Sequence, residues 1–275
     1  MLTKNDIYLG NPRLKKANVK VDYTAEQVEE LAKCANDIHY FCNQYMKIVN
    51  VDEGLVNFTT FDFQEKILNS VQGNRFTICK MPRQSGKTTV MTALILHFAL
   101  FNESFNVAVL ANKAATAREI LHRIQLGFEH LPYWMQQGIV EWNKGNIELE
   151  NGSKILAGST SSGSVRGGSF NLIYLDEFAF VPAHQQEDFF ASTYPTISSG
   201  EAIEVHWSDV PGRDEEWKKQ TIENTSADQF RQEFECEFMG SSNTLIHPSK
   251  LGALVFHEPL YRAESTKVFK EPEPN

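Results

Sequence analysis

One stretch limits the folds open to this chain more than any other: MPRQSGKTTV, Met81 to Val90. It lies between a short strand-like run, RFTICK, and a long apolar run, KTTVMTALILHFALF. A strand, a glycine-containing loop and a helix in that order make a P-loop, which normally reads glycine, four arbitrary residues, then Gly-Lys-Ser/Thr. Gly86, Lys87 and Thr88 fit that pattern. Met81 stands where the first glycine is expected, and Arg83 lies inside the loop.

Such a loop works because consecutive backbone N–H groups at a helix N-terminus surround a phosphate. Gly86 lets the backbone come close, Lys87 reaches the β- and γ-phosphates, and Thr88 offers its hydroxyl to Mg²⁺. Gln84, Ser85 and Thr89 complete the candidate nucleotide-binding run. A chance Gly-Lys-Thr at a helix start is the alternative, and the flanking strand and helix weigh against it.

A nucleotide site of this kind needs a second half, and LIYLDE supplies one. This apolar strand ends in Asp176, placed to hold Mg²⁺, and Glu177, placed to orient and polarise an attacking water. An acidic pair that merely ends a strand is common, but the order P-loop then Asp-Glu makes that explanation weaker. ATP and Mg²⁺ are the cofactors these residues imply. Arg83 is a candidate for stabilising charge that develops on the γ-phosphate, or else a solvated loop residue. Arg166, in the Gly- and Ser-rich run SSGSVRGGSF, is a candidate finger for a neighbouring subunit's site, or a turn residue. Gln64, in FTTFDFQEKIL, is a candidate adenine reader with Phe61 or Phe63 against the ring. The two phenylalanines also read as core.

The rest of the chain agrees with an α/β core. FNVAVLA and NLIYLDE read as buried strands, and AATAREILHRIQLGFEHL reads as a helix. GIVEWNKGNIELENGSKILAGST reads as alternating strands with an Asn151-Gly152 hairpin turn. Strands alternating with helices predict a mainly parallel sheet flanked by helices. Upstream, YTAEQVEELAKCANDIHYFCNQYM has helical apolar spacing, with Val28, Leu31, Ala32, Ala35, Ile38 and Cys42 on one face. Thr24 and Gln27 fit a capping box there. AIEVHW reads as one more strand, and RDEEWKKQTIENT and SADQFRQEFECEF as charged helices.

Acidic residues outnumber basic ones by 35 to 26, for a net charge of -9, so total charge offers no general affinity for nucleic acid. Cys34, Cys42, Cys79 and Cys236 show no metal spacing and read as reduced thiols. No run approaches membrane-spanning length, so no membrane partner is expected.

Together MPRQSGKTT, LIYLDEFAF, GIVEWNKGNIELENGS, VRGGSF and QFRQEFECEF resemble the large terminase subunit of tailed myovirus phages, from about Tyr23 to Leu251. That family's P-loop replaces the first glycine and carries an arginine. The resemblance implies an ASCE-type P-loop NTPase with a small helical subdomain. It further implies ATP-driven packaging of double-stranded viral DNA into a prohead. The implied partners are the portal protein, a small terminase subunit and further copies in a ring, a pentamer in the best-studied members. The implied place is the host cytoplasm, transiently at the portal vertex. Carried over by residue, Gln64 matches the adenine motif, and Arg83, Lys87 and Thr88 match the P-loop. Asp176 and Glu177 match the metal-binding and catalytic carboxylates, and Arg166 falls in the loop of a trans-acting arginine.

The expected organisation is a flexible segment over 1–22, a motor domain over 23–251, and a linker over 252–275 toward an absent nuclease domain. No nuclease activity is therefore expected. A second departure lies inside the ATPase. The family has another core strand, ending in a Ser/Thr-rich coupling motif, where this chain runs from YPTISSG directly into EAIEVHW at Gly200-Glu201. Two other functions compete with the motor: a non-hydrolysing piece that docks on the portal, and a helicase-like P-loop ATPase. Intact Lys87 and Glu177 argue against the first, and the lack of further helicase-type motifs argues against the second.

Overall fold

A computed structural model describes residues 6–50, 52–160, 168–178, 181, 201–235, 261–263 and 266–268. The chain divides into two units, Met1–Pro211 and Gly212–Asn275.

The first unit is built around α4 (Lys87–Phe101), which follows the P-loop. Its composition is apolar on all sides, as in a helix buried on every face. Val90, Ala93, Leu94, Ile95, Leu96, Ala99 and Leu100 are all buried. Helices α1 (Ala25–Asn36), α2 (Ile38–Tyr45), α3 (Asp62–Gly73) and α5 (Ala114–Glu129) accompany it, with α2, α3 and α5 packing on α4.

A five-stranded sheet runs in the order β10 (Leu172–Asp176), β6 (Asn106–Ala111), β9 (Lys154–Ser159), β8 (Asn146–Leu149), β7 (Ile139–Trp142). The first three are parallel, and β8 and β7 are antiparallel additions. Val107, Ala108, Val109, Leu110 and Ala111 of β6 are fully buried, as the continuous apolar run requires of a central parallel strand. The Asn151-Gly152 turn joins β8 to β9, with Gly152 at φ +82.

The P-loop strand, β5 (Thr77–Lys80), is not in that sheet. It pairs in parallel with β11 (Glu201–Glu204), and a Lys80–Glu204 ion pair of 2.7 Å joins their ends. Among the described residues, β5 has no partner on its other edge, and β10 has none opposite β6. Ile78 is 70% exposed, and Leu172, Ile173, Tyr174 and Leu175 are only half-buried.

Two expectations are corrected. The helix expected across Ala25 to Met46 is two helices. The Asp37 side chain accepts from the His39 and Tyr40 N–H groups and so starts α2 afresh. The buried face of α1 consequently centres on Cys34, while Val28 is 53% exposed and Ala32 and Ala35 face outward. The capping box at Thr24 and Gln27 forms as expected. The described part of the 1–22 segment is also anchored. Strands β1 (Ile7–Tyr8) and β2 (Asn11–Lys15) pair, Leu14 is buried, and Lys15 lies 3.3 Å from Glu150. A further two-stranded sheet joins β3 (Lys47–Asn50) and β4 (Gly54–Asn57).

In the second unit, α6 (Glu215–Asn224) and α7 (Ala227–Glu233) pack through Trp217, Phe230 and Phe234. The Arg213 guanidinium sits 4.6 Å from the Trp217 ring. The segment expected as a linker contains a backbone hairpin of β12 (Tyr261–Ala263) and β13 (Thr266–Val268).

Candidate nucleotide-binding site

The loop from Met81 to Gly86 is shaped from inside. Met81 and Pro82 are buried, so the methionine fills core space at a position where the usual pattern has only a hydrogen. Ser85 is 3% exposed, and its hydroxyl donates to the Pro82 carbonyl at 2.8 Å. Its contribution to a nucleotide is thereby restricted to its backbone. Gln84 and Gly86 both have positive φ, 56 and 76. Left-handed residues in a tight loop turn successive N–H groups into a concave anion-binding face. Gly86 caps α4, and no side chain caps that end. The first amides of α4 and the positive end of its dipole are thus left for an anion. Lys87, Thr88 and Thr89 form its first turn and are half-buried, while Arg83 and Gln84 are exposed.

Gln64 touches this loop from below. Its Oε1 accepts from the Phe61 N–H at 3.1 Å, and its Nε2 donates to the Ser85 carbonyl at 3.4 Å. Gln64 is 1% exposed, and both ends of its amide are hydrogen-bonded, so it braces the loop. Phe63 is core, whereas Phe61 is 41% exposed.

The second half of the site is the end of β10. Asp176 is 7% exposed, and Tyr174 donates to its Oδ1 at 2.9 Å. Burial, then the Asp176 charge and this hydrogen bond, push the Tyr174 ionisation far up, so the hydroxyl keeps its proton. The Cys79 thiol of β5 also acts on Tyr174. Glu177 is exposed and left-handed, with φ 51. A non-glycine residue in that region costs about 1–2 kcal/mol, and such strain gathers where a side chain must be aimed. Arg166 lies outside the described residues. Tyr174 was missed in the sequence, although strict alternation along LIYLDE places it on the same strand face as Asp176.

A buried carboxylate compensated by one neutral hydroxyl invites a cation. Mg²⁺ is commonly held by one or two side-chain oxygens together with substrate phosphates. Asp176 and Thr88 fit that donor set.

Fold and loop together define a P-loop NTPase. Residues 78–194 match the family model of the terminase large subunit, T4likevirus-type, N-terminal. The chain is similar to the large terminase ATPase domain of Thermus phage P74-26, with TM-score 0.53 and 16% identity, covering 66% of this chain and 94% of that one. An arginine-to-alanine variant of that domain matches with TM-score 0.53 and 15% identity, covering 66% and 95%. The HK97 bacteriophage large terminase matches with TM-score 0.49 and 14% identity, covering 71% and 42%. Family match and architecture agree: the chain carries the fold of a phage large terminase ATPase domain.

Proposed function

We propose that this chain is the ATP-hydrolysing motor domain of a phage large terminase, driving double-stranded viral DNA into a prohead. One observation carries the reading. The chain combines an uncapped helix N-terminus behind left-handed Gly86 with a buried carboxylate, Asp176, ending an apolar strand.

In this reading the loop amides and Lys87 hold the β- and γ-phosphates, as Gln84, Ser85 and Thr89 line the loop and the first helical turn. Thr88 and Asp176 hold Mg²⁺, which neutralises charge on the phosphate oxygens when bound. Glu177 orients the water and takes its proton, and Arg83 meets the charge developing on the γ-phosphate. Arg166 completes the site of a neighbouring copy in a ring on the portal protein, with the small terminase subunit as a further partner. The working place is the host cytoplasm and the portal vertex.

The net charge of -9 leaves DNA contact to local basic surface, so the isolated chain binds DNA weakly and loses it in salt. A second reading is a portal-docking piece without turnover, because the chain runs from YPTISSG directly into EAIEVHW where the family's coupling strand is expected.

The test is ATP-dependent protection of DNA from nuclease by proheads supplied with this chain and its small-subunit partner. Protection that is lost with Glu177→Gln supports the motor. Prohead binding without ATP-dependent protection supports the docking piece. Mixing Arg166→Ala with Glu177→Gln subunits tests the ring. Part of the stimulated ATPase activity returns if the arginine acts in trans, and none returns in co-assembled mixtures if it does not.

A further inference from the structure

The nucleotide chemistry above leaves Tyr174 without a part, yet its placement is specific. Successive strand side chains point to opposite faces, so Tyr174 and Asp176 share a face of β10. The hydroxyl donates to Asp176 Oδ1 at 2.9 Å. Among the described residues, this is the hydrogen bond that the Asp176 side chain makes. The Asp176 side chain is otherwise buried, at 7% exposed.

We propose that Tyr174 is a positioning residue for Asp176, fixing one carboxylate oxygen so that the other is left for a divalent cation arriving with the nucleotide. A carboxylate ordered in advance spares the cation the cost of ordering it. Groups that hydrogen-bond a metal-binding side chain typically affect metal affinity by about 10–100-fold when removed. Tyr174 is half-buried, which suits a residue whose ring packs in the sheet while its hydroxyl serves the site. The proposal rests on the reading of Asp176 as the Mg²⁺-facing carboxylate.

The experiment measures binding of a fluorescent ATP analogue, N-methylanthraniloyl ATP, to the full chain as Mg²⁺ is titrated. Tyr174→Phe keeps the ring and removes the donor. It is expected to raise the Mg²⁺ concentration at half-effect by about tenfold and leave the Mg²⁺-free affinity for the analogue as in wild type. Tyr174→4-aminophenylalanine, which returns an N–H donor, is expected to restore the wild-type midpoint. In an Asp176→Asn background, Tyr174→Phe is expected to change nothing further, because the tyrosine acts only through the carboxylate. A Tyr174→Phe midpoint unchanged or lowered overturns the proposal. So does an equal displacement in the Asp176→Asn background. Wild-type chain that binds the analogue with no response to Mg²⁺ overturns both this proposal and the assignment of Asp176. Wild type that responds to Mg²⁺ while Tyr174→Phe matches it overturns the tyrosine alone.

Discussion

The Gln64 side-chain nitrogen donates to the Ser85 carbonyl across 3.4 Å, and a Cβ built on Gly86 would stand 2.6 Å from that same nitrogen. One glutamine therefore sets both the height of the loop and the size of the residue that can cap α4. Gly86→Ala combines that clash with a left-handed backbone, which alone costs about 1–2 kcal/mol for a non-glycine residue. Affinity for an ATP analogue is expected to fall about tenfold or more in Gly86→Ala. Adding Gln64→Ala to that variant removes the clash but not the backbone cost, so affinity is expected to recover in part. Full recovery would show that the positive φ is immaterial, and no recovery would show that Gln64 does not hold the loop.

Gln136 ties the N-terminal strand down. It is 3% exposed, accepts from the Lys15 N–H at 3.1 Å, and donates to the Arg13 carbonyl at 2.9 Å. Gln136→Leu leaves both backbone groups without this partner, a loss of about 1–3 kcal/mol for buried groups. The urea midpoint is expected to drop with an unchanged slope. An unchanged midpoint would mean that β2 docks without it.

His97 gives the fold a pH dependence. It is 3% exposed among Phe41, Phe98 and Phe101, and its Nε2 lies 2.8 Å from the Cys34 carbonyl oxygen. Burial pushes its pKa below the ordinary value of 6.5, partly opposed by the Cys34 carbonyl and the Asp37 charge. The unfolded chain thus binds a proton that the folded chain resists. Stability contributed by neutral His97 is present above pH 6.5 and falls as pH drops below it, by at most about 1.4 kcal/mol per pH unit. Thermal melts from pH 7.5 to 5 are expected to show this decline and His97→Phe to flatten it. Equal slopes in both proteins would remove His97 as the cause.

Local chemistry was legible in the sequence. The P-loop flanks, the Asp-Glu strand, the Asn151-Gly152 hairpin and the Thr24 capping box each depend on residues a few positions apart. What escaped depends on distant partners. That β5 pairs with β11 rather than joining the main sheet involves a separation of over a hundred residues, which no local period reports. The docking of Lys15 needs Gln136 and Glu150. The bracing bonds of Gln64 to Phe61 and Ser85 are likewise visible only in the folded chain. Asp37 was overlooked because an aspartate inside an apolar repeat reads as a tolerated polar position, although it also has the chemistry of a cap.

The central claim is that Lys87 and Glu177 serve one hydrolytic site. Steady-state phosphate release from ATP, alongside analogue binding with Mg²⁺ present, tests it most directly in wild type, Lys87→Ala and Glu177→Gln. We expect wild type to turn over, Lys87→Ala to lose both turnover and tight binding, and Glu177→Gln to bind as wild type does while turnover stops. Undiminished phosphate release from either variant would contradict the account.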